Sequence, residues 1–143
     1  MHTQKSIVVL PFENISSDPE NEYFADGVTE EIINALSKVE GLKVTVRTSS
    51  FAYKNNLKDI RMIGKELGVS TALEGSIRKS GSRIRISTQL TRTDNGFQVW
   101  SESFDRNLTD IFELQDEISL LIADKIRENF GHFEIKEHLV TSQ

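Results

Sequence analysis

Between an apolar run, SIVVL, and a segment of helical apolar spacing lies PFENISSDPENEYFADG, residues 11–27, which gathers the carboxylates of Glu13, Asp18, Glu20, Glu22 and Asp26. Asp18, Glu20 and Glu22 have the 1, 3, 5 spacing with which an EF-hand calcium loop begins. The match stops there. The sixth position is Tyr23 where that loop needs glycine, the twelfth is Thr29, and Pro19 restricts the turn. A strand running through a loop into a helix is also where many α/β proteins cradle phosphate, but a cradle needs closely spaced glycines and usually a Lys at the helix start. No Lys or Arg stands between Ser6 and Ser37, and the carboxylates repel an anion. The loop therefore reads as a solvated acidic helix start, favoured by the helix macrodipole.

Other chemistries have equally little to work with. The absence of cysteine excludes disulfides, thiolate catalysis and cysteine-ligated metal. His2, His132 and His138 sit at the ends of the chain with no metal-ligand spacing between them. Ser49, Ser50 and Ser76 occupy no G-x-S-x-G elbow, and no internal histidine can serve as base. Glu30 and Glu31 are adjacent on a helix and diverge, so they cannot flank a scissile bond. No catalytic, cofactor-binding or metal-ligating residue is assigned, and no cofactor is expected.

What remains is surface. Arg78, Lys79, Arg83, Arg85 and Arg92 could track phosphates, but readers of single-stranded nucleic acid also need aromatics interleaved on the exposed face, where this chain has Ser, Thr and Gln. Nucleic acid is not expected as a partner. Two candidate contact regions for protein stand out. One is the loop from Arg47 to Tyr53, where Phe51 and Tyr53 follow an Arg; the other is the outer face of the hairpin carrying Arg83 and Arg85. The competing reading is that both cover the domain's own helices.

These residues must be held by a single core, since 143 residues suit one domain. The spacing predicts a strand at Lys5–Pro11 and a helix from Pro19 with Asp18 as N-cap, striped by Phe24, Val28, Ile32, Ala35, Leu36 and Val39 and closed at Gly41. A strand over Leu42–Val46 follows, then a loop over 47–56. Next comes a short helix with Ile60, Ile63, Gly64 and Leu67 on one face, Asp59 as cap and Gly68 as stop. Val69, Leu73 and Ile77 alternate along a strand, Ile84, Ile86 and Leu90 along a second after the Ser80-Gly81 turn, and Phe97–Phe104 makes a third after a two-residue turn at Asn95-Gly96. Arg83 and Arg85 then face away from the isoleucines. A long helix starts at about Asp110, with Glu113 placed for a capping box and Leu114, Ile118, Ile122, Ile126 and Phe130 recurring every four residues. The expected fold class is mixed α/β: a five-stranded mixed sheet with three helices, in the order β-α-β-α-β-β-β-α. Residues 1–4 read as a disordered start, 5–130 as the domain and 131–143 as a linker or tail. The apolar runs are far too short to span a bilayer, so no direct membrane insertion is expected.

Charge is arranged in blocks. Residues 6–40 carry eight acids and one Lys, 41–92 eleven bases and three acids, and 93–143 eleven acids and four bases, so a middle of +8 lies between flanks of −7 each. Either the blocks become neighbours on folding and partly cancel, or the middle presents a basic patch to an acidic partner.

Taken in series, SIVVLPFENISSDPENEYFADGVTEEIINALSKVEGLKVTVRTSSFAYK, IGKELGVSTALEGSIRKSGSRIRISTQL and TDNGFQVWSESFDRNLTDIFELQDEI resemble the TolB-like amino-terminal domain of bacterial multidomain proteins, over about Lys5–Phe130. In that family the domain often follows an adenylate cyclase, winged-helix regulator or kinase domain, commonly with a transmembrane segment between, and often precedes tetratricopeptide repeats. The resemblance implies a fold similar to the amino-terminal domain of TolB, and a periplasmic rather than cytoplasmic place. No catalytic residues are established for the family, so none are carried over. The function this implies is a non-catalytic regulatory or scaffolding module contacting protein partners or neighbouring domains of its parent. The alternative is a small-ligand sensor coupled to an attached output domain.

Overall fold

The computed structural model describes residues 5–16, 18–56 and 58–141, with side chains as far as residue 130. Residues 1–4, including His2, lie outside it. Its elements are β1 (Ser6–Val9), β2 (Glu13–Asn14), α1 (Pro19–Ser37), β3 (Lys43–Val44), α2 (Arg47–Phe51), α3 (Ile60–Leu67), β4 (Thr71–Ser80), β5 (Arg83–Arg92), β6 (Gln98–Asn107) and α4 (Ile111–Thr141). They form a mixed α+β fold on a six-stranded sheet of order β3-β1-β4-β5-β6, with β2 also paired to β4. Strands β3, β1 and β4 run parallel, while β4, β5 and β6 make an antiparallel meander.

Strand β1 is buried on both faces, as its unbroken apolar run requires. Ile7 and Val9 point to one side, where they join Leu73, Ile77, Ile84, Ile86, Leu90 and Phe104 beneath α1 and α4. The expected stripes supply the cover: Phe24, Val28, Ile32 and Leu36 from α1, and Leu114, Ile118, Ile122, Ile126 and Phe130 from α4. Each such side chain contributes roughly 1.5–3 kcal/mol on burial, so the stripe of either helix far outweighs any single polar contact described below. Val8 and Leu10 point to the other side and pack with Ala72, Ile63 and Val69 beneath α3. Val69 thus parts company with Leu73 and Ile77, because it precedes β4 and its backbone is not yet in the strand's alternation.

The helix caps are those the spacing predicts. The Asp18 carboxylate accepts the N–H of Glu20 at 3.0 Å, and that of Asp59 accepts the N–H of Arg61 at 2.8 Å. Asp110 accepts from Phe112 and Glu113. Gly68 ends α3 at φ 67°, a left-handed conformation that favours glycine.

Several elements differ from expectation. The five strands and three helices gain β2 and α2. Residues 47–51 form one turn of helix rather than a loop, tied down where the buried Ser50 hydroxyl donates to the carbonyl of Val9. Leu42–Val46 contributes only the two-residue β3. At the β5–β6 reversal only Gly96 has positive φ, and the Arg92 N–H donates to the Phe97 carbonyl across a four-residue loop instead of a two-residue turn. Helix α4 runs on to Thr141 through the segment expected as linker from residue 131, taking in His132 and His138, whose side chains are outside the described set.

Strand β2 exists because β1 does not stop but kinks. Ile7 to Val9 lie opposite Thr71 to Leu73, whereas Glu13 lies opposite Ser76, so the first strand holds one residue more than β4 over this interval. The surplus falls at Pro11, which has no N–H to give a ladder. Beyond it Phe12 turns into the core, its N–H donating to Thr29 Oγ1 at 3.0 Å and its ring lying on Gly75.

A Cβ on Gly75 would stand 2.4 Å from the Phe12 ring. Gly75→Ala should therefore lower stability by about 1–3 kcal/mol in chemical denaturation. The loss should shrink in the Phe12→Leu background, because the two residues share one space; strictly additive losses would count against the clash. At α3, the hydrogen bond and charge of Arg61 hold the Asp59 carboxyl at about 2, below its ordinary 3.8. The folded value is the lower one, so the cap's contribution is complete above roughly pH 4 and is lost as the pH falls toward 2. Carbon-detected NMR titration should place the Asp59 midpoint near 2, and Arg61→Ala should return it toward 3.8; a midpoint that Arg61→Ala leaves unmoved would exclude the ion pair as its cause.

Candidate functional site

Strand alternation divides the candidate residues. Along the meander the side chains that turn away from α1 and α4 form cross-strand rows: Glu74, Gln89 and Ser101; Ser76, Ser87 and Ser103; Arg78, Arg85 and Asp105; Ser80, Arg83 and Asn107. Every member is polar, while each inward neighbour on β5, from Ile84 to Leu90, is buried. The meander thus has one face in the core and one face open. Helix α3 covers the same side of the sheet only over β1 and the start of β4.

Within this open face the rows are stitched together. Gln89 donates to Glu74 at 3.2 Å, the Ser87 and Ser103 hydroxyls meet at 3.2 Å, and Arg85 binds Asp105 at 2.8 Å. That ion pair pushes the Asp105 carboxyl below and the Arg85 guanidinium above its ordinary value, chiefly through the hydrogen bond. Arg78 and Arg83 are exposed and, among the described residues, take part in no ion pair. Arg83 and Arg85 are therefore on the open face, as their spacing predicts, with different standing: Arg85 is paired and Arg83 offers its charge outward.

Arg47, Phe51 and Tyr53 are placed elsewhere. One helical turn apart on α2, Arg47 and Phe51 meet, the guanidinium 4.2 Å from the ring centroid, while Arg47 Nε reaches Glu30 on α1 at 2.6 Å. Tyr53 sits past the helix end, half-buried against the cluster that contains Val8, Leu10 and Ile63. Its hydroxyl donates to Glu66 at 2.5 Å, which raises the phenol's pKa and, with Lys58, lowers that of Glu66. Lys54 completes the clamp, 2.8 Å from Asp26 and 3.0 Å from Glu22. The segment after β3 thus fastens α1 to α3 with the very side chains proposed for partner contact.

The acidic loop is consumed in the same way. Asp18 caps α1 and stands 3.8 Å from Lys79, and Glu22 and Asp26 hold Lys54. The basic middle of the chain folds between its acidic flanks: Arg47 and Lys54 pair back in sequence onto α1, and Arg85 pairs onward onto β6. Among the described residues no group of three His, Asp or Glu side chains could hold a metal ion, and no helix is long and apolar enough to cross a membrane.

Two depressions flank the sheet. A cavity of about 660 Å³ lies beyond the amino-terminal ends of β1, β3 and β4, with Lys5, Lys43 and Arg92 among its polar lining and Val69, Leu90 and Phe130 among its apolar lining. A smaller one, about 370 Å³, opens between α2, α3 and the β1–β2 kink, bordered by Asn14, Tyr53, Lys54 and Lys58. The sequence reading located neither cavity, because each is lined by residues far apart in the chain.

Comparison with known structures agrees with this architecture. The lipoprotein GNA1162 from Neisseria meningitidis superposes with a TM-score of 0.62 at 17% identity, covering 87% of this chain and 99% of its own. The LpoB C-terminal domain from Escherichia coli gives 0.58 at 18%, over 73% and 83%. TolB from Acinetobacter baumannii gives 0.55 at 12%, over 85% of this chain and 28% of TolB. At these identities the likeness is one of fold, and it is at that level that the resemblance to the TolB-like domain holds. In sequence, a protein of Rhizobium meliloti (strain 1021) named "Putative adenylate cyclase 3" is 53% identical over 122 residues, which is 85% of this chain and 21% of that protein. Residues 3–121 match the model of the second domain of HilA/YgeH-like transcriptional regulators. With that match spanning most of its length, the chain belongs to the family of HilA/YgeH-like regulator second domains.

Proposed function

We propose that this domain is a non-catalytic interaction module of a larger signalling protein, and that the open polar face of the β4–β5–β6 meander is the surface it presents to a protein partner or to a neighbouring domain. The observation that carries the reading is the asymmetry of that meander. One side is sealed under α1 and α4, and the other is an array of Ser, Gln, Asn, Arg, Asp and Glu with Arg78 and Arg83 directed outward. The couplings within the array are weak: the exposed Arg85–Asp105 ion pair is worth roughly 0–1 kcal/mol, which a partner can replace at little cost. Family membership in a transcription-regulator domain, together with a relative named for adenylate cyclase of which this chain spans 21%, supports placing the module beside different output domains. The cyclase activity that name denotes belongs, on this reading, to other segments of that protein. The lipoprotein fold neighbours favour a place at the bacterial envelope.

The partner's contact patch should be acidic where Arg78 and Arg83 meet it. A photo-crosslinking residue introduced at Arg83 in the full-length protein should capture a protein segment in living cells, and one at Met62, exposed on α3, should not. Arg78→Glu with Arg83→Glu should abolish the capture and leave the melting temperature of the isolated domain essentially unchanged, as expected of exposed substitutions. Equal capture at both positions, or capture that survives the charge reversal, would sink the assignment to this face.

A second reading is favoured by the 660 Å³ cavity, whose size suits a small molecule and whose Lys5 and Lys43, beside the Arg92–Asp94 ion pair, leave a net positive lining that suits an acidic one. Here the domain would be a sensor for an anionic metabolite. A thermal-shift screen with small carboxylates and phosphates should then raise the melting temperature of the wild-type chain and not of Lys43→Glu; a flat response in the wild type removes this alternative.

A further inference from the structure

Strand β6 is the outermost strand of the meander, and among the described residues none pairs with its outer edge. It is ten residues long, has no proline and lies at the end opposite the short β3. A free edge of that length is a template for another strand, and proteins ordinarily blunt such edges. Here the blunting device is charge: Glu102 and Arg106 stand on the core-facing side of the strand, opposite Thr88 and Ile84. These charges oppose indiscriminate pairing, yet they are spaced so that one particular partner satisfies both.

We propose that the domain pairs with a second copy of itself through β6, antiparallel and centred on Phe104, to make one continuous sheet across two protomers. The backbone fixes which registers are open. The Leu108 N–H donates to Ser82 on the β5 side, so the even-numbered residues of β6 bond to β5 and Ser101, Ser103, Asp105 and Asn107 direct their N–H and C=O groups outward. Within one chain the Arg106 guanidinium donates to the Asp105 carbonyl at 2.9 Å, a contact the incoming strand has to displace. A second β6 must bond to those odd positions. Centring on Phe104 sets Ser101 opposite Asn107 and Ser103 opposite Asp105 as hydrogen-bonded pairs. It also sets Glu102 of each copy opposite Arg106 of the other, where side chains approach most closely. A shift of two residues one way puts Glu102 against Phe104, and the other way puts Asp105 against its own copy. The favoured register therefore follows from charge.

A second observation points to the same arrangement. Phe97 and Phe112 are among the most exposed large apolar residues, 71% and 73%, and they flank β6 in the chain, Phe97 just before it and Phe112 in the first turn of α4 after it. Antiparallel pairing about Phe104 brings the end bearing Phe97 in one copy to the end bearing Phe112 in the other, so both aromatic surfaces gain cover. The inference is independent of the proposed partner face, since the contact is along the strand edge. It leaves the open face open and doubles its width.

Sedimentation equilibrium of the 143-residue chain over a wide concentration range tests it. A monomer–dimer equilibrium is expected. Glu102→Arg and Arg106→Glu should each weaken it at least about tenfold, and the double swap E102R/R106E should restore it. Restoration separates this contact from the pairing of Arg106 with Glu117 within one chain, which the double swap does not rebuild. Ser103→Pro removes an outward N–H without touching the β5 ladder, and should abolish the dimer while far-ultraviolet circular dichroism stays native. That variant carries the test if a charge variant fails to fold. A chain monomeric throughout overturns the proposal. So does a dimer indifferent to all these changes, or an edge that captures an extended segment of another protein while the chain itself stays monomeric.

Discussion

The four residues of β1 have to be buried on both sides at once, and they can be only if one layer of helix lies above them and another below, with a paired strand to left and right. Ser6, Ile7, Val8 and Val9 have essentially no solvent exposure. Their backbone is paired to β3 on one side and β4 on the other, because an orphaned N–H at that depth would cost more than a typical hydrogen bond contributes. This requirement arranges the remainder. Helices α1 and α4 close the side of Ile7 and Val9; α3 closes the side of Val8; and the segment between β3 and α3 must return over the strand ends to bring α3 into place.

The return explains why so many capable side chains do no chemistry. Ser50 anchors the chain to Val9, Arg47 and Lys54 bind it to α1, and Tyr53 binds it to α3. The acids after β1 meet these bases across the ends of the parallel strands, a position where many α/β proteins keep a ligand. Mutual neutralisation there replaces the unpaired field that would draw an ion in. The charge blocks of the sequence are thus resolved mainly within the molecule, and among the described residues the arginines left without an ion pair are those of the meander, Arg78 and Arg83, on the side without a helix.

The long, regular features were legible in the sequence: the stripes of α1 and α4, the caps at Asp18, Asp59 and Asp110, the stop at Gly68, and the outward aspect of Arg83 and Arg85. Each depends on contacts a few residues apart or on a period that repeats several times. Helix α2 and strand β2 were not, because one turn of helix and two strand residues carry no period; they exist through Ser50 and Phe12, whose partners Val9 and Gly75 are 41 and 63 residues away. The Asn95-Gly96 reversal was read one step too tight, since the dipeptide signals a turn without counting the residues that close it. As for the surfaces, an aromatic pair beside an Arg looks alike whether it awaits a partner or holds down a neighbouring helix, and only the positions of Glu30 and Glu66 separate the two.

The placement of β1 also bears on how the domain acquires its shape. The meander β4–β5–β6 is joined by two short reversals and can assemble from neighbours in the chain, whereas β1 meets β4 only across a separation of 64 residues. Closing so long a loop costs entropy before any burial repays it. The strand buried on both faces is therefore the one whose pairing is most distant along the polypeptide, and topology sets the pace of acquiring it. Until β1 slots in, the apolar undersides of α1 and α4 have no complete floor, which makes the late, parallel half of the sheet the part most dependent on the early antiparallel half.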